Sequence, residues 1–407
     1  MAARIAMIGF AYYPRDPRIR REAEALIEAG YSVDIICLRQ SGERPREIIN
    51  GANVYRVPLQ HKRAGRFYYL WAYVCFICMA FFRVSILYVR KRYDLVHVHN
   101  MPDALVYSAL LPKVCGCKTI LDLHDPMPEV YMSKYAVSAT HPVIRLLRLM
   151  EKCSICSSDA VLTVNTACRD LFISRGCPPS KIHVVMNVPQ DSVFREVRKN
   201  RNTTSSRERF VIMYHGTVVE RNGLAVALDA LERVRHKIPN LVFEVYGDGD
   251  YLKYFLESAK ARNLEGIINY HGFVAHEEIA QAIQSADVGL IPNIASIHWQ
   301  YATPTRMFEY LYLGKCVIVP RTKAILDCFD ERSLYFFESG DPDSLANALY
   351  EVYADPRRAE AVRKRGSSLC YRRYRWVNEK RHLVSIVQTL VDHTHNQKEV
   401  RGIAHEQ

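Results

Sequence analysis

The residues best equipped for chemistry in this chain follow short apolar runs. After "VIMY" come His215, Gly216 and Thr217, with Arg221 and Gly223 close behind. After "FEVY" come Gly247, Asp248 and Gly249, and after "INYH" come Gly272 and Phe273. After "VGLIP" a longer loop ends in "TPTRMFE", which carries Thr305, Arg306 and Glu309. Small residues let a ligand approach the backbone closely. Helix starts offer free N–H groups and a positive dipole end to an anion. Any one of these pieces has an ordinary reading: "GDG" as a turn, Arg221 as a solvated charge. Four together predict a phosphate-bearing ligand across one edge of one sheet.

The loop end is the most specific of the four. Thr303 is expected to cap a helix, with Pro304 at its first position, where a missing N–H costs nothing. The amides of Thr305 and Arg306, together with the Arg306 charge, would then suit a diphosphate. Glu309 shares their helix face, about one turn deeper. A carboxylate there can accept two hydrogen bonds from a vicinal diol, which a ribose supplies. A plain ion pair between Glu309 and Arg306 is the alternative.

These residues need a scaffold that brings strand ends together. The first half alternates strands ("RIAMIGF", "YSVDIICL", "NVYRVP", "YDLVHVHN", "KTILDLHD", "AVLTVN", "KIHVVMN") with helices such as "PRIRREAEALIEAG". Residues 195–209 are polar, basic and aperiodic, and read as a linker. The alternation then restarts with "RFVIMYHG". Apolar runs of this length between helices indicate parallel sheets covered on both faces. The expected architecture is α/β: two doubly wound, Rossmann-like domains over 1–194 and 210–370, followed by a helix over 371–395. Ligands of such sheets bind beyond the carboxyl ends of the strands.

A chain of 407 residues is long enough for two cores. A hydrophobic share of 49% and a charged share of 24% are those of a soluble globular protein. The net charge of +12 favours anionic partners: phosphates, nucleotides, acidic lipid surfaces. Nucleic acid is not expected, because no finger, basic zipper or RNA-recognition signature is present. "GFAYYPRD" after the first strand lacks the glycines that admit a dinucleotide pyrophosphate, which argues against a dinucleotide-dependent oxidoreductase. Many of the twelve cysteines sit in apolar runs, where a thiol behaves as a small hydrophobe, and this fits a reducing compartment. "CSIC" at 153–156 and "CGC" at 115–117 have no matching second pair, so no metal is expected there. The start has no signal-peptide design, so the Asn202 sequon is expected to go unused.

"FYYLWAYVCFICMAFF" at 67–82 resembles a membrane span but is shorter than the roughly 20 residues a span needs before Arg83 interrupts it. The strands on either side read as members of one sheet, which a span would separate. His61, Lys62, Arg63 and Arg66 precede it, and Arg83, Arg90, Lys91 and Arg92 follow. That pattern fits a helix lying in the headgroup region, with a buried helix and a true span as the other readings.

"HGTVVERNGLAVALDAL", "VFEVYGDGD", "INYHGFVAHEEIAQAIQSADVGLIP" and "TPTRMFEYLYLGKCVIV" together resemble the donor domain of GT-B, family 4 glycosyltransferases. "YPRDPRIRREAEALIEAGYSVDII" and "YDLVHVHNMPDALV…KTILDLHDPMPEVY" are similar to the acceptor domain of members that build bacterial surface polysaccharides. "YRRYRWVNEKRHLVSIVQTLV" looks like the helix that crosses back to the first domain. The resemblance implies two Rossmann-like domains facing a cleft, and a sugar nucleotide on the second. Glu309, matching the second acid of Glu-x7-Glu, would hold the ribose. Thr305, Arg306 and Arg221 would meet the diphosphate, Gly216, Thr217 and Gly247 would line it, and Phe273 would lie near the base. His124 would be the catalytic histidine facing the donor sugar, with Arg18 and Asp125 on the acceptor side. Tyr301 stands where the first acid would be, and Asn222 where the family has a lysine.

The function implied is retaining transfer of a glycosyl group from a nucleotide-diphosphate sugar to a saccharide or lipid-linked acceptor. No cofactor and no metal is expected, and attachment would be to the cytoplasmic face of the cell membrane. An inactive nucleotide-binding assembly protein and a sugar-nucleotide epimerase of the same fold are the alternatives; donor hydrolysis and product analysis with donor alone would separate them.

Overall fold

The computed structural model describes residues 3–60, 66–190, 194 and 209–403, without the side chains of 66, 67, 276 and 395–403. His61, Lys62, Arg63, the sequon and nearly all of the expected linker lie outside the described residues. The chain forms two compact units. One comprises Met1–Met186 with Glu379–Gln407, the other Asn187–Asn378. The expected boundaries at 194 and 371 each lie eight residues from the ends of these segments at 186 and 379.

The first unit runs β1 (Arg4–Gly9), α1 (Pro17–Glu28), β2 (Ser32–Leu38), β3 (Arg46–Ile49), β4 (Ala52–Val57), α2 (Arg66–Lys91), β5 (Leu95–His99), α3 (Leu110–Val114), β6 (Lys118–Leu123), α4 (Met127–Tyr135), α5 (Pro142–Ser157), β7 (Ala160–Thr163), α6 (Thr166–Ser174) and β8 (Ile182–Val184). Its eight strands are ordered β3-β4-β2-β1-β5-β6-β7-β8. All pairs are parallel except β3 with β4, a short antiparallel edge absent from the sequence reading. Ile5, Ala6, Met7 and Ile8 of β1 are fully buried, as a central strand covered on both faces requires. Strand order reverses between β1 and β5, and the crevice for a ligand opens there.

The second unit runs β9 (Phe210–His215), α7 (Leu224–Val234), β10 (Leu241–Tyr246), α8 (Leu252–Ala261), β11 (Ile268–Gly272), α9 (His276–Ser285), β12 (Val288–Leu290), α10 (Thr305–Tyr312), β13 (Cys316–Pro320), α11 (Lys323–Leu326), β14 (Tyr335–Phe337), α12 (Pro342–Ala354) and α13 (Pro356–Arg373). Its six strands are all parallel, in the order β11-β10-β9-β12-β13-β14. Leu224, Ala227, Leu228 and Leu231 recur at helical spacing on α7 and bury against Phe243 and Val245 of the sheet. Here the order reverses between β9 and β12.

The last helix, α14 (Trp376–Ile403), completes the first unit from Glu379 onwards. Leu383, Val387 and Val391 are buried, and the Tyr31 hydroxyl donates to Gln388 at 2.6 Å. Glu379 accepts from the Met186 amide at 2.8 Å.

α2 is longer than the sequence suggested, because Arg83 does not interrupt it. Arg83 is exposed, and a long charged side chain on a solvent face leaves the backbone helix intact. The helix is long and apolar enough to cross a membrane. It also connects β4 to β5, which belong to one sheet. Ala72, Phe76, Ala80, Val84 and Leu87 form its buried stripe. The other face exposes Leu70, Trp71, Val74, Phe82, Ile86 and Val89.

Candidate functional site

In the second unit several of the candidate side chains gather at the reversal between β9 and β12. The helix α10 starts one residue later than expected: Pro304, not Thr303, is its N-cap, and no side chain among the described residues caps it. Thr305 and Arg306 therefore form the first turn, whose N–H groups have no intrahelical acceptor. Thr305 is exposed. The Arg306 guanidinium donates to the His215 carbonyl at 3.1 Å and to the Asn293 side chain, and lies 4.7 Å from the Tyr214 ring centre. One arginine thus ties the end of β9 to the loop after β12.

Glu309 is buried, 5% exposed, and its carboxylate lies 3.2 Å from His215 Nε2. The group found 3.2 Å from this carboxylate is thus a histidine of β9, where helical spacing alone pointed to Arg306. Two glycines have packing reasons for their identity. A Cβ on Gly216, at φ +133°, would sit 2.5 Å from Arg306 Nη1. One on Gly223, at φ +72°, would sit 1.8 Å from the Pro292 carbonyl oxygen. Close backbone approach is therefore made partly by the protein itself. Asn222 is buried and donates to the Thr217 carbonyl at 2.7 Å and the Tyr214 hydroxyl at 3.2 Å. It shapes the loop that holds Thr217. Arg221 beside it is exposed.

Gly247 donates to the Gly272 carbonyl at 2.7 Å, which brings the ends of β10 and β11 together. Phe273 follows, 84% exposed. Such a ring at a strand end is available for stacking. The structure thus brings Gly216, Thr217, Arg306 and Glu309 together at the β9 and α10 ends. Gly247 and Phe273 lie one and two strands further out.

The first unit has its own cavity at the reversal between β1 and β5. It encloses about 440 Å³ and is lined by Tyr12, Arg15, Asp16, Arg18, Tyr73, His99 and His124, among others. Asp16 caps α1, accepting from the Arg18 amide at 2.9 Å and from its guanidinium at 2.8 Å. Burial would raise the Asp16 carboxyl, but Arg18 holds it well below the usual carboxylate range. The guanidinium in turn is held above its ordinary value, with the pull of Asp16 outweighing burial. Asp125 is not in the cavity lining, yet its charge acts on Arg18.

His124 is buried at the end of β6. Burial lowers its pKa to about 3, so the ring is neutral at physiological pH. Its Nε2 lies 3.3 Å from Asp122 Oδ2 and 3.3 Å from His99 Nδ1. Asn100 fixes the backbone, accepting from the His124 amide at 2.9 Å and donating to the Asp125 carbonyl at 2.9 Å. The sequence reading missed Asp122, His99 and Asn100 as neighbours of His124, and His215 as the partner of Glu309. The signal for the first group is the period-two spacing of "HVH" and "LDLH". It puts His97 with His99, and Asp122 with His124, on single faces of strands.

Residues 16–187 match the family model of the glycosyl transferase 4-like domain, and residues 196–368 that of the glycosyl transferases group 1. An uncharacterised glycosyltransferase of Methanocaldococcus jannaschii is 23% identical over 96% of this chain and 99% of its own. The GPI3 subunit of phosphatidylinositol N-acetylglucosaminyltransferase of Saccharomyces cerevisiae is 23% identical over 71% of this chain and 63% of its own length. Among solved structures, Anabaena HepE in complex with UDP superimposes with a TM-score of 0.70 at 14% identity, over 95% of this chain and 100% of that one. With a doubly wound parallel sheet in each unit and a family model on each half, the chain belongs to the GT-B glycosyltransferases, a 4-like domain followed by a group 1 domain.

Proposed function

We propose that this glycosyltransferase moves a glycosyl group from a nucleotide-diphosphate sugar to an acceptor hydroxyl, with retention of configuration. The observation that carries the donor class is the buried Glu309 carboxylate beside the α10 start at the second unit's strand-order reversal. Glu309 accepts the ribose hydroxyls, oriented by His215. The α10 N–H groups, Thr305, Arg306 and Arg221 receive the diphosphate. The leaving group is that diphosphate, so catalysis at this end is chiefly neutralisation of its growing charge by fixed dipoles and cations. These groups take the place that a divalent ion holds in other transferases. Phe273 stacks on the base. Arg18 and Asp125 serve the acceptor side, and His124, a neutral imidazole, hydrogen-bonds the donor sugar. HepE, solved with UDP, supports the donor class.

The acceptor is lipid-linked, and the first unit docks reversibly on the cytoplasmic leaflet through α2. Its exposed apolar face lies beside exposed Arg83 and Arg90, and Tyr73 of the same helix lines the cavity. The name of the yeast relative, a phosphatidylinositol glycosyltransferase subunit, points the same way.

Calorimetry with UDP tests the donor reading. Glu309→Gln weakens binding by about 1.5–3 kcal/mol, the worth of a charged hydrogen bond, with the fold intact. Affinity is the same in EDTA as in Mg²⁺. Unchanged affinity in the variant removes the ribose role, and a strong gain with Mg²⁺ removes the metal-free one.

A further inference from the structure

Beneath the first unit's cavity four buried side chains converge. β5 and β6 are neighbours, with His99 in register with Asp122. His97 is two residues before His99, on the same face of β5. α1 covers that face and contributes Glu22. His97 Nε2 lies 3.5 Å from Asp122 Oδ2 and 3.7 Å from Glu22 Oε2, and His99 Nδ1 lies 3.2 Å from Asp122 Oδ2. One ligand atom from each of the four residues falls within 4.8 Å of all the others. Ligands at about 2.0–2.2 Å from a tetrahedral ion are separated by about 3.3–3.6 Å, close to the three distances above.

All four residues are at most 3% exposed. Even so, Glu22 Oε2 and Nε2 of His97 have no hydrogen-bond partner among the described residues. Buried polar atoms are rarely left so, because each unsatisfied group costs free energy. Once ionised, the two carboxylates would balance the charge of one divalent cation.

We propose that Glu22, His97, His99 and Asp122 bind one divalent transition-metal ion of the zinc class. Two imidazole and two carboxylate donors suit zinc better than magnesium or calcium, which take oxygen ligands. With four protein ligands and no exposed face the site is closed, hence structural. It joins β5, β6 and α1 beneath the cavity. Asp122 Oδ2 is also 3.3 Å from His124 Nε2, so the ion positions the cavity histidine through a shared carboxylate. Burial and then the Asp122 charge hold the Glu22 carboxyl well above its ordinary range, against the pull of Arg21 and Arg18, so a bound cation would displace its proton. All four ligands belong to the first unit, so the inference does not rest on the donor reading.

The test is metal analysis of the full-length protein, produced with zinc in the medium and passed over a chelating resin. The wild type carries one zinc ion per chain. His97→Ala and Glu22→Gln carry at least about tenfold less, since lost ligands weaken a buried site sharply. Cobalt substituted into the wild type gives the visible absorption of a tetrahedral site, and the variants lack it. The cobalt spectrum and a rise in melting temperature when zinc is returned to stripped wild type decide the matter even if the variants fail to fold. A wild type that holds no zinc and shows neither response overturns the inference, leaving a network that shares protons instead. Equal zinc in folded His97→Ala overturns it too, by placing the ion elsewhere.

Discussion

Glu309 lies 3.2 Å from His215, where sequence spacing alone suggested Arg306. The motif "TPTRMFE" shows a carboxylate one turn inside a helix, because that is a local property. It does not show the partner, which comes from a strand more than ninety positions earlier. Arg306 was legible as a cation at a helix start, but not as the brace between the His215 carbonyl and Asn293. Thr303 was a reasonable cap by type, yet the extended Pro304 takes that position. Phe273 needs no partner to be interpreted: a ring 84% exposed after β11 has little to do for the fold. Phe273→Ala therefore lowers UDP affinity by about 1–3 kcal/mol, the worth of stacking a base on an aromatic ring, with almost no change in melting temperature. Equal affinity by calorimetry would remove the ring from the base site.

The parallel strands were legible as elements because burial on both faces writes each as a continuous apolar run. β3 was not, being four residues of an edge with Ile48 73% exposed, nor was β14, which has only three residues. α2 was legible as an apolar helix but not in length. Nor could the sequence show which side chains would face out, since both faces are apolar. The structure divides them into a stripe on the sheet and a stripe exposed. The proposed docking through the second stripe predicts binding of the protein to anionic vesicles, and co-sedimentation measures it. High salt weakens the binding without abolishing it, since each cation near the surface gives about 1 kcal/mol that ions screen. Arg83→Gln with Arg90→Gln reduces the preference for anionic over neutral lipid. Trp71→Ala with Phe82→Ala reduces the salt-resistant remainder. A protein that binds neither vesicle type has no membrane face on α2.

At the scale of the whole molecule, the first unit is discontinuous in sequence, and α14 supplies its last part. A chain ending at Tyr374 loses Leu383, Val387 and Val391 from that core, each worth about 1.5–3 kcal/mol when fully buried. Hydrogen exchange on the truncated chain shows protection lost across β1, β2 and β5 and kept across β9, β10 and β13. Equal protection in both units would mean that α14 adds nothing to the first. The same feature reverses the order of completion during synthesis. Domains usually fold as they leave the ribosome, earliest first. Here the first unit must wait for α14, while the second has its whole sequence once Asn378 has emerged. Of the two units, the one begun first is the one completed second.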